Sequence, residues 1–215
     1  MKTKTKALGL MMAAVLLVTA TIFGTMAYLT STDEIVNTFT VGSVAIQLDE
    51  AKANTDGTLV EGADRVDANS YKLLPGHTYA KDPMVTVLSG SENSYIRMTV
   101  TVSKAAELDA IFDPQKANLL SIFNGYDSTN WIYQGETDDT TNNTRTYEFW
   151  YKDTVSALEE DVALDALFDS ITVPGEINND QLKTIEGMTI TVNAYAIQAD
   201  GFNDAAAAWA AFPAE

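Results

Sequence analysis

The chain has 215 residues, no cysteine, one histidine and a formal net charge of −17 at pH 7. That acidity argues against nucleic acid and anionic lipid as partners, because both are held through Lys and Arg. Without cysteine there is no disulfide, no thiolate metal site and no thiol nucleophile.

The first element is an export signal. Lys2, Lys4 and Lys6 form a positive end, Ala7 to Phe23 is uncharged and mostly apolar, and Gly24 breaks the run before Thr25-Met26-Ala27. That order predicts a signal-peptide helix within residues 1–27, cut between Ala27 and Tyr28 by a signal peptidase. The apolar run is short for a bilayer core of about 30 Å, and no basic stop-transfer cluster follows it. Residues 28–215 then read as one domain with enough apolar side chains for a single core. Removing the leader takes three lysines and no acid, so the exported part is more acidic still. Such a charge favours solubility and a weak attraction for divalent cations. An exported chain free of cysteine suits a Gram-positive bacterium, which offers no oxidising periplasm.

Beyond the leader, the dominant signal is alternation of apolar and polar residues, the period of half-buried strands. Val44, Ile46 and Leu48 alternate with polar neighbours, as do Ile96, Met98, Val100 and Val102, and Met188, Ile190, Val192, Ala194 and Ala196. Asp82 to Leu88 and Arg145 to Lys152 also read as strands, the second with aromatic residues on both faces. Pro75-Gly76 fits the centre of a type II turn. Ser89 to Asn93 reads as a hairpin loop, and Thr137 to Thr144, all Asp, Thr and Asn, as an exposed loop. Three helices are expected. Ser103 would cap Lys104 to Phe112, Ser156 to Phe168 would form a second, and Asp204 would cap the alanine run from Ala205 to Ala211, burying Trp209 and Phe212. Strands with short turns and inserted helices predict a mostly β chain folded as an antiparallel β-sandwich.

Catalytic equipment is nearly absent. His77 stands alone, without an HExxH or a GxSxG, and no glycine-rich phosphate loop occurs. No cofactor is expected, and no resident metal. Calcium is the one cation to consider, at Glu136, Asp138 and Asp139 or along Asp200 to Asp204, although neither segment matches an EF-hand loop. Trp131, Tyr133, Trp150 and Tyr151 could form an aromatic platform for sugar rings, which would make the chain a secreted carbohydrate-binding or adhesion domain; as core residues they would do nothing of the kind.

Gly24 to Glu50 (GTMAYLTSTDEIVNTFTVGSVAIQLDE) combines the Ala27 cleavage site, an aromatic–apolar pair, a polar segment and Asn37-Thr38-Phe39-Thr40-Val41-Gly42 before an alternating strand. This stretch resembles the start of the TasA/camelysin proteins of Gram-positive bacteria. Leu74-Pro75-Gly76 through Asp82 is similar to that family's turn before a strand, and Ile190 to Phe202, with Gln198, to its closing strand. The resemblance implies a jelly-roll-like β-sandwich, processing by a SipW-type signal peptidase, and a role as a biofilm-matrix or cell-surface fibre subunit, with an accessory matrix protein as a possible partner. Some relatives are labelled metalloproteases; the lone histidine here gives that label no residues. The segment freed by cleavage, Tyr28, Leu29, Thr30, Ser31, Thr32 and Asp33, is expected to add as a strand to a neighbour's open sheet edge. Repeated head to tail without closure, that addition builds a filament.

Overall fold

Alternation along β4 (Ser91–Ser103) organises the molecule. Ile96, Met98, Val100 and Val102 point inward and are fully buried, while Arg97, Thr99, Thr101 and Ser103 line the other face. In this computed structural model the described residues are 42–112 and 122–213, together with Met12. The signal helix, the Ala27–Tyr28 cleavage site and the segment from Tyr28 to Asp33 lie outside them.

Strand makes up 40 % and helix 13 %, so the chain is mostly β. The remaining elements are β1 (Ile46–Asp49), β2 (Thr78–Ala80), β3 (Met84–Val87), α1 (Ala105–Phe112), β5 (Phe123–Asn124), β6 (Trp131–Asp139) and β7 (Thr144–Tyr151). These are followed by β8 (Val155–Ala157), β9 (Val162–Ala163), β10 (Ser170–Thr172), α2 (Asn179–Thr184), β11 (Ile190–Gln198) and α3 (Ala205–Ala211). They form three antiparallel sheets: β11-β4-β7-β6 with β8 also on β4, β1-β3-β9, and β2-β10-β5. One core cluster draws on all three, including Val85 of β3, Met98 of β4, Trp131 of β6, Phe149 of β7 and Ile171 of β10.

The structure corrects several expectations. Ser89 to Asn93 is no hairpin loop. β4 already begins at Ser91, and β3 and β4 enter different sheets. The polar segment from Thr137 to Thr144 is half strand: Thr137, Asp138 and Asp139 pair with Thr146, Arg145 and Thr144, leaving a turn of residues 140–143. Cross-strand bonds to β7 satisfy the backbone there, and an outermost strand tolerates polar side chains. Ser156 to Phe168 is not helical. Val155 and Ala157 bury alternately in β8, and Leu164, Leu167 and Phe168 enter the core from irregular chain between β9 and β10. Ser103 does not cap α1; its hydroxyl takes the Thr189 amide at 2.8 Å. The cap comes from Asn143 across the β6–β7 turn, whose side-chain oxygen accepts from Ala106 N at 3.0 Å. Asp204 does cap α3, accepting from Ala207 N at 2.8 Å, and Trp209 is buried behind it while Phe212 is half-buried. Gly76 has φ 75° and His77 N bonds Leu74 O, as the Pro75-Gly76 turn requires.

Candidate functional site

β11 is an outermost strand with unusual composition. Its sequence, ITVNAYAIQ, has no charge, no proline and no glycine, and it pairs without interruption from Ile190 to Gln198 along β4. Ser103 N bonds Thr189 O at one end of that ladder and Ala199 N bonds Asn93 O at the other. In an antiparallel pair, alternate residues turn their backbone to the same neighbour. The odd-numbered residues therefore face β4, and the amides and carbonyls of Ile190, Val192, Ala194, Ala196 and Gln198 point the other way. Among the described residues no strand takes them up.

The side chains tell the same story. Ile190, Val192, Ala194 and Ala196 share rows with Val102, Val100, Met98 and Ile96 of β4. The β4 residues are sealed; the β11 residues stay partly open although they pack against the same core. Beside them runs a trough. One cavity of about 200 Å³ is mixed in character, with Leu48, Pro83, Ile190 and Val192 on its apolar side and Asp49, Glu50, Asp67 and Lys81 on its polar side. A second, of about 510 Å³, shares Asn69, Lys81, Ile190 and Thr191 with it and is floored by apolar groups such as Leu73, Leu108 and Ile171. A third, of about 470 Å³, continues past Tyr71, Leu73 and Gly187 to Leu182 of α2. Hollows with apolar floors, beside a strand edge that no described strand occupies, offer the two things an added strand needs: side-chain pockets and main-chain partners.

The opposite edge is built differently. β6 carries a bulge between Tyr133 and Gly135, where φ is 138°, and ends in Glu136, Asp138 and Asp139. Bulges and charges are common ways of blunting an edge. Those carboxylates, suggested above for calcium, already have partners. Glu136 Oε2 accepts from Tyr133 OH, Asp138 pairs with Arg145, and Asp139 accepts from Thr141 N and Asn142 N. In the other calcium segment, Asp204 is engaged as a helix cap. Among the described residues no cluster of three or more His, Asp or Glu could hold a metal, and no helix is long and apolar enough to cross a membrane.

The four aromatic residues considered as a sugar platform do not lie together. Trp131 is fully buried with Nε1 donating to Asp165 O at 2.9 Å, and Tyr151 packs edge-on against it. Tyr133 packs on Phe149, whereas Trp150 lies on the other face of the sheet near Trp209. His77 sits exposed in its turn, with its ring 6.3 Å from Tyr79. A feature that the sequence did not suggest lies on the outer face of the main sheet. There the Arg97 guanidinium stands 4.6–5.2 Å from the rings of Tyr195, Trp209 and Phe212, beside a groove of about 380 Å³ floored by Thr99, Thr101 and Thr146. Thr191, Thr101, Thr146 and Thr137 form one row across four strands, visible only once the register is known.

No family model, curated protein or solved structure matches the chain.

Proposed function

We propose that this chain is an exported, non-enzymatic structural subunit of an extracellular-matrix or cell-surface fibre, a jelly-roll-like β-sandwich that polymerises when one copy lends a strand to the next. The observation that carries the reading is the open β11 edge beside its apolar trough. The occupant is the segment from Tyr28 to Asp33 of a second copy, freed when the leader is cut after Ala27. Its sequence, YLTSTD, holds one acid, and β11 holds none, so the contact escapes the repulsion expected between two acidic subunits. Gly42 and Ser43 lie beside the start of β4. Extended at roughly 3.3 Å per residue, residues 28–41 reach roughly 45 Å, enough to leave one subunit and lie along another. A version starting at Glu34 is expected to stay folded and monomeric, while the version starting at Tyr28 forms filaments visible by negative-stain microscopy. Filaments from the shorter version would end this mechanism.

A second reading, adhesion to a glycan, draws on the outer groove. Threonine hydroxyls, Asn193, Glu148 and Arg97 offer mixed donors and acceptors, with Trp209 and Phe212 as an aromatic wall. Monodisperse particles that are retained on a polysaccharide column, and lose retention in Thr101→Val, would favour it over the fibre.

A further inference from the structure

A lysine, a carboxylate and a carboxamide converge where β1 and β2 end. Glu50 follows β1 and Lys81 follows β2; they are 4 % and 8 % exposed. Lys81 Nζ donates to Glu50 Oε2 at 2.5 Å, and Asn69 Nδ2 donates to Glu50 Oε1 at 2.9 Å. One carboxylate thus holds an amine on one oxygen and an amide on the other. Asn69 is clamped twice more: Nδ2 donates to Ala51 O at 2.8 Å, and Oδ1 accepts from Ala53 N at 2.8 Å. Tyr71 closes the group, its hydroxyl donating to Ala80 O. Burial, and then the Glu50 charge, hold that hydroxyl well above the usual tyrosine range. Asn69 and Lys81 both line two neighbouring cavities of the trough, so a small product has a way out.

As a salt bridge alone, this arrangement is a weak source of stability, because desolvation offsets most of the attraction. As a reactive set it is complete: a nucleophilic amine, a proton carrier touching both partners, and an electrophilic carbonyl with a backbone donor on its oxygen.

We propose that Lys81 and Asn69 join in an intramolecular amide bond, with Glu50 carrying the protons. Glu50 takes a proton from the Lys81 ammonium, and the freed lone pair attacks Asn69 Cγ. The carbonyl electron pair moves onto Oδ1, where Ala53 N–H stabilises it. Glu50 returns its proton to Nδ2 and takes one from the former lysine nitrogen. Collapse of the oxyanion breaks the Cγ–Nδ2 bond and expels ammonia, which accepts the proton from Glu50 and departs as ammonium. The net change is ammonium plus carboxamide giving substituted amide plus ammonium ion, with Glu50 restored. No oxidant, metal or energy source is consumed.

Mass spectrometry of the folded wild-type protein tests this. The mass is expected to fall below that of the unlinked polypeptide by one ammonia. Digestion should give a branched peptide joining Asn69 to Lys81, with no tryptic cut after Lys81. Glu50→Gln, Asn69→Ala and Lys81→Met should each abolish the branched peptide. An unlinked wild-type mass overturns the proposal even if every variant misfolds. So does an ammonia loss without the branched peptide, which would mark a succinimide. A branched peptide that persists in Glu50→Gln overturns the role of Glu50. The outcome is independent of filament formation, so it stands or falls apart from the fibre reading.

Discussion

Trp131 is the largest fully buried side chain, and its indole N–H is satisfied by Asp165 O. Trp131→Ala removes both the packing and the bond. It is expected to cost about 3–5 kcal/mol in denaturant unfolding, whereas the exposed Leu158→Ala should change little. Gly57 matters for a different reason. Its φ is 90°, and a Cβ there would lie 2.6 Å from Thr78 O and Tyr79 Cα, both backbone atoms that cannot swing away. Gly57→Ala is expected to lower stability by more than about 1 kcal/mol, read from the unfolding midpoint. Titration behaviour also belongs to single residues. The hydrogen bond from Arg145 holds Asp138 below the usual carboxylate range, and Asn142 N–H does the same for Asp139. Depressed carboxylates bind protons more weakly folded than unfolded, so their contribution is present above about pH 4 and is lost as pH falls through the lowered values. Tyr133 is pushed up to about 12, chiefly by burial and then by its bond to Glu136, and Tyr126 and Tyr151 are raised by burial. For these the sign reverses. The stabilising contribution is complete below about pH 10 and declines as pH climbs toward 12. Melting temperature against pH should therefore be flat between those limits, and a profile that peaks sharply at neutrality would contradict this assignment.

Elements were legible in the sequence to the degree that one face of each was buried. β4 and β11 alternate cleanly because each has one apolar and one polar face, and β7 was found although aromatic residues occupy both. β6 was not assigned as a strand, and its second half was read as loop, since it sits at an edge where no burial imposes a pattern. The stretch from Ser156 to Phe168 has helical spacing of apolar residues, yet Leu158 is exposed and Leu164, Leu167 and Phe168 are drawn into the core from irregular chain; tertiary packing overrode the period. α1 shows a further limit: its cap comes from Asn143, far along the chain, at φ 52°. Asn143→Ala is expected to cost about 1–2 kcal/mol through the lost cap, and Asn143→Gly less, because glycine keeps the positive φ. The candidate edge could not be read from the sequence at all, because which strand is outermost depends on strand order. At β11, Ala194→Pro deletes an outward amide and leaves the ladder to β4 in place, since Ala194 faces away from β4. Filaments should be lost, with the circular dichroism spectrum unchanged. Filaments that survive would mean that β11 is not the accepting edge.

For the whole molecule, the net charge of −17 sets copies against one another. The proposed contact rests on main-chain hydrogen bonds and on the Tyr28 and Leu29 side chains, with Asp33 as the one charge of the lent segment, and salt does not weaken such a contact. Raising ionic strength from about 0.01 M to about 0.15 M shortens the screening length from roughly 30 Å to roughly 8 Å. Filament growth, followed by light scattering, should therefore speed up with salt. A slowing would point to attraction between opposite charges and against strand lending. The mostly β, antiparallel character with short helices could be read from the period, whereas the trough, the threonine row and the Glu50–Asn69–Lys81 cluster could not. Each of these joins residues that are distant in sequence through registers and crossovers that no local pattern records.

The bridge that ties Ser43 to β4 has a mechanical meaning. Ser43 bridges to Ser91 at the start of β4, and Glu92 N bonds Ser43 O. β11 lies along the same thirteen-residue β4. In a filament under tension, force entering near Gly42 would reach the next subunit by way of β4 and β11. The pull would run along those strands, loading their rungs together in shear instead of peeling them one by one. A subunit threaded this way should resist stretching far better than its modest size suggests.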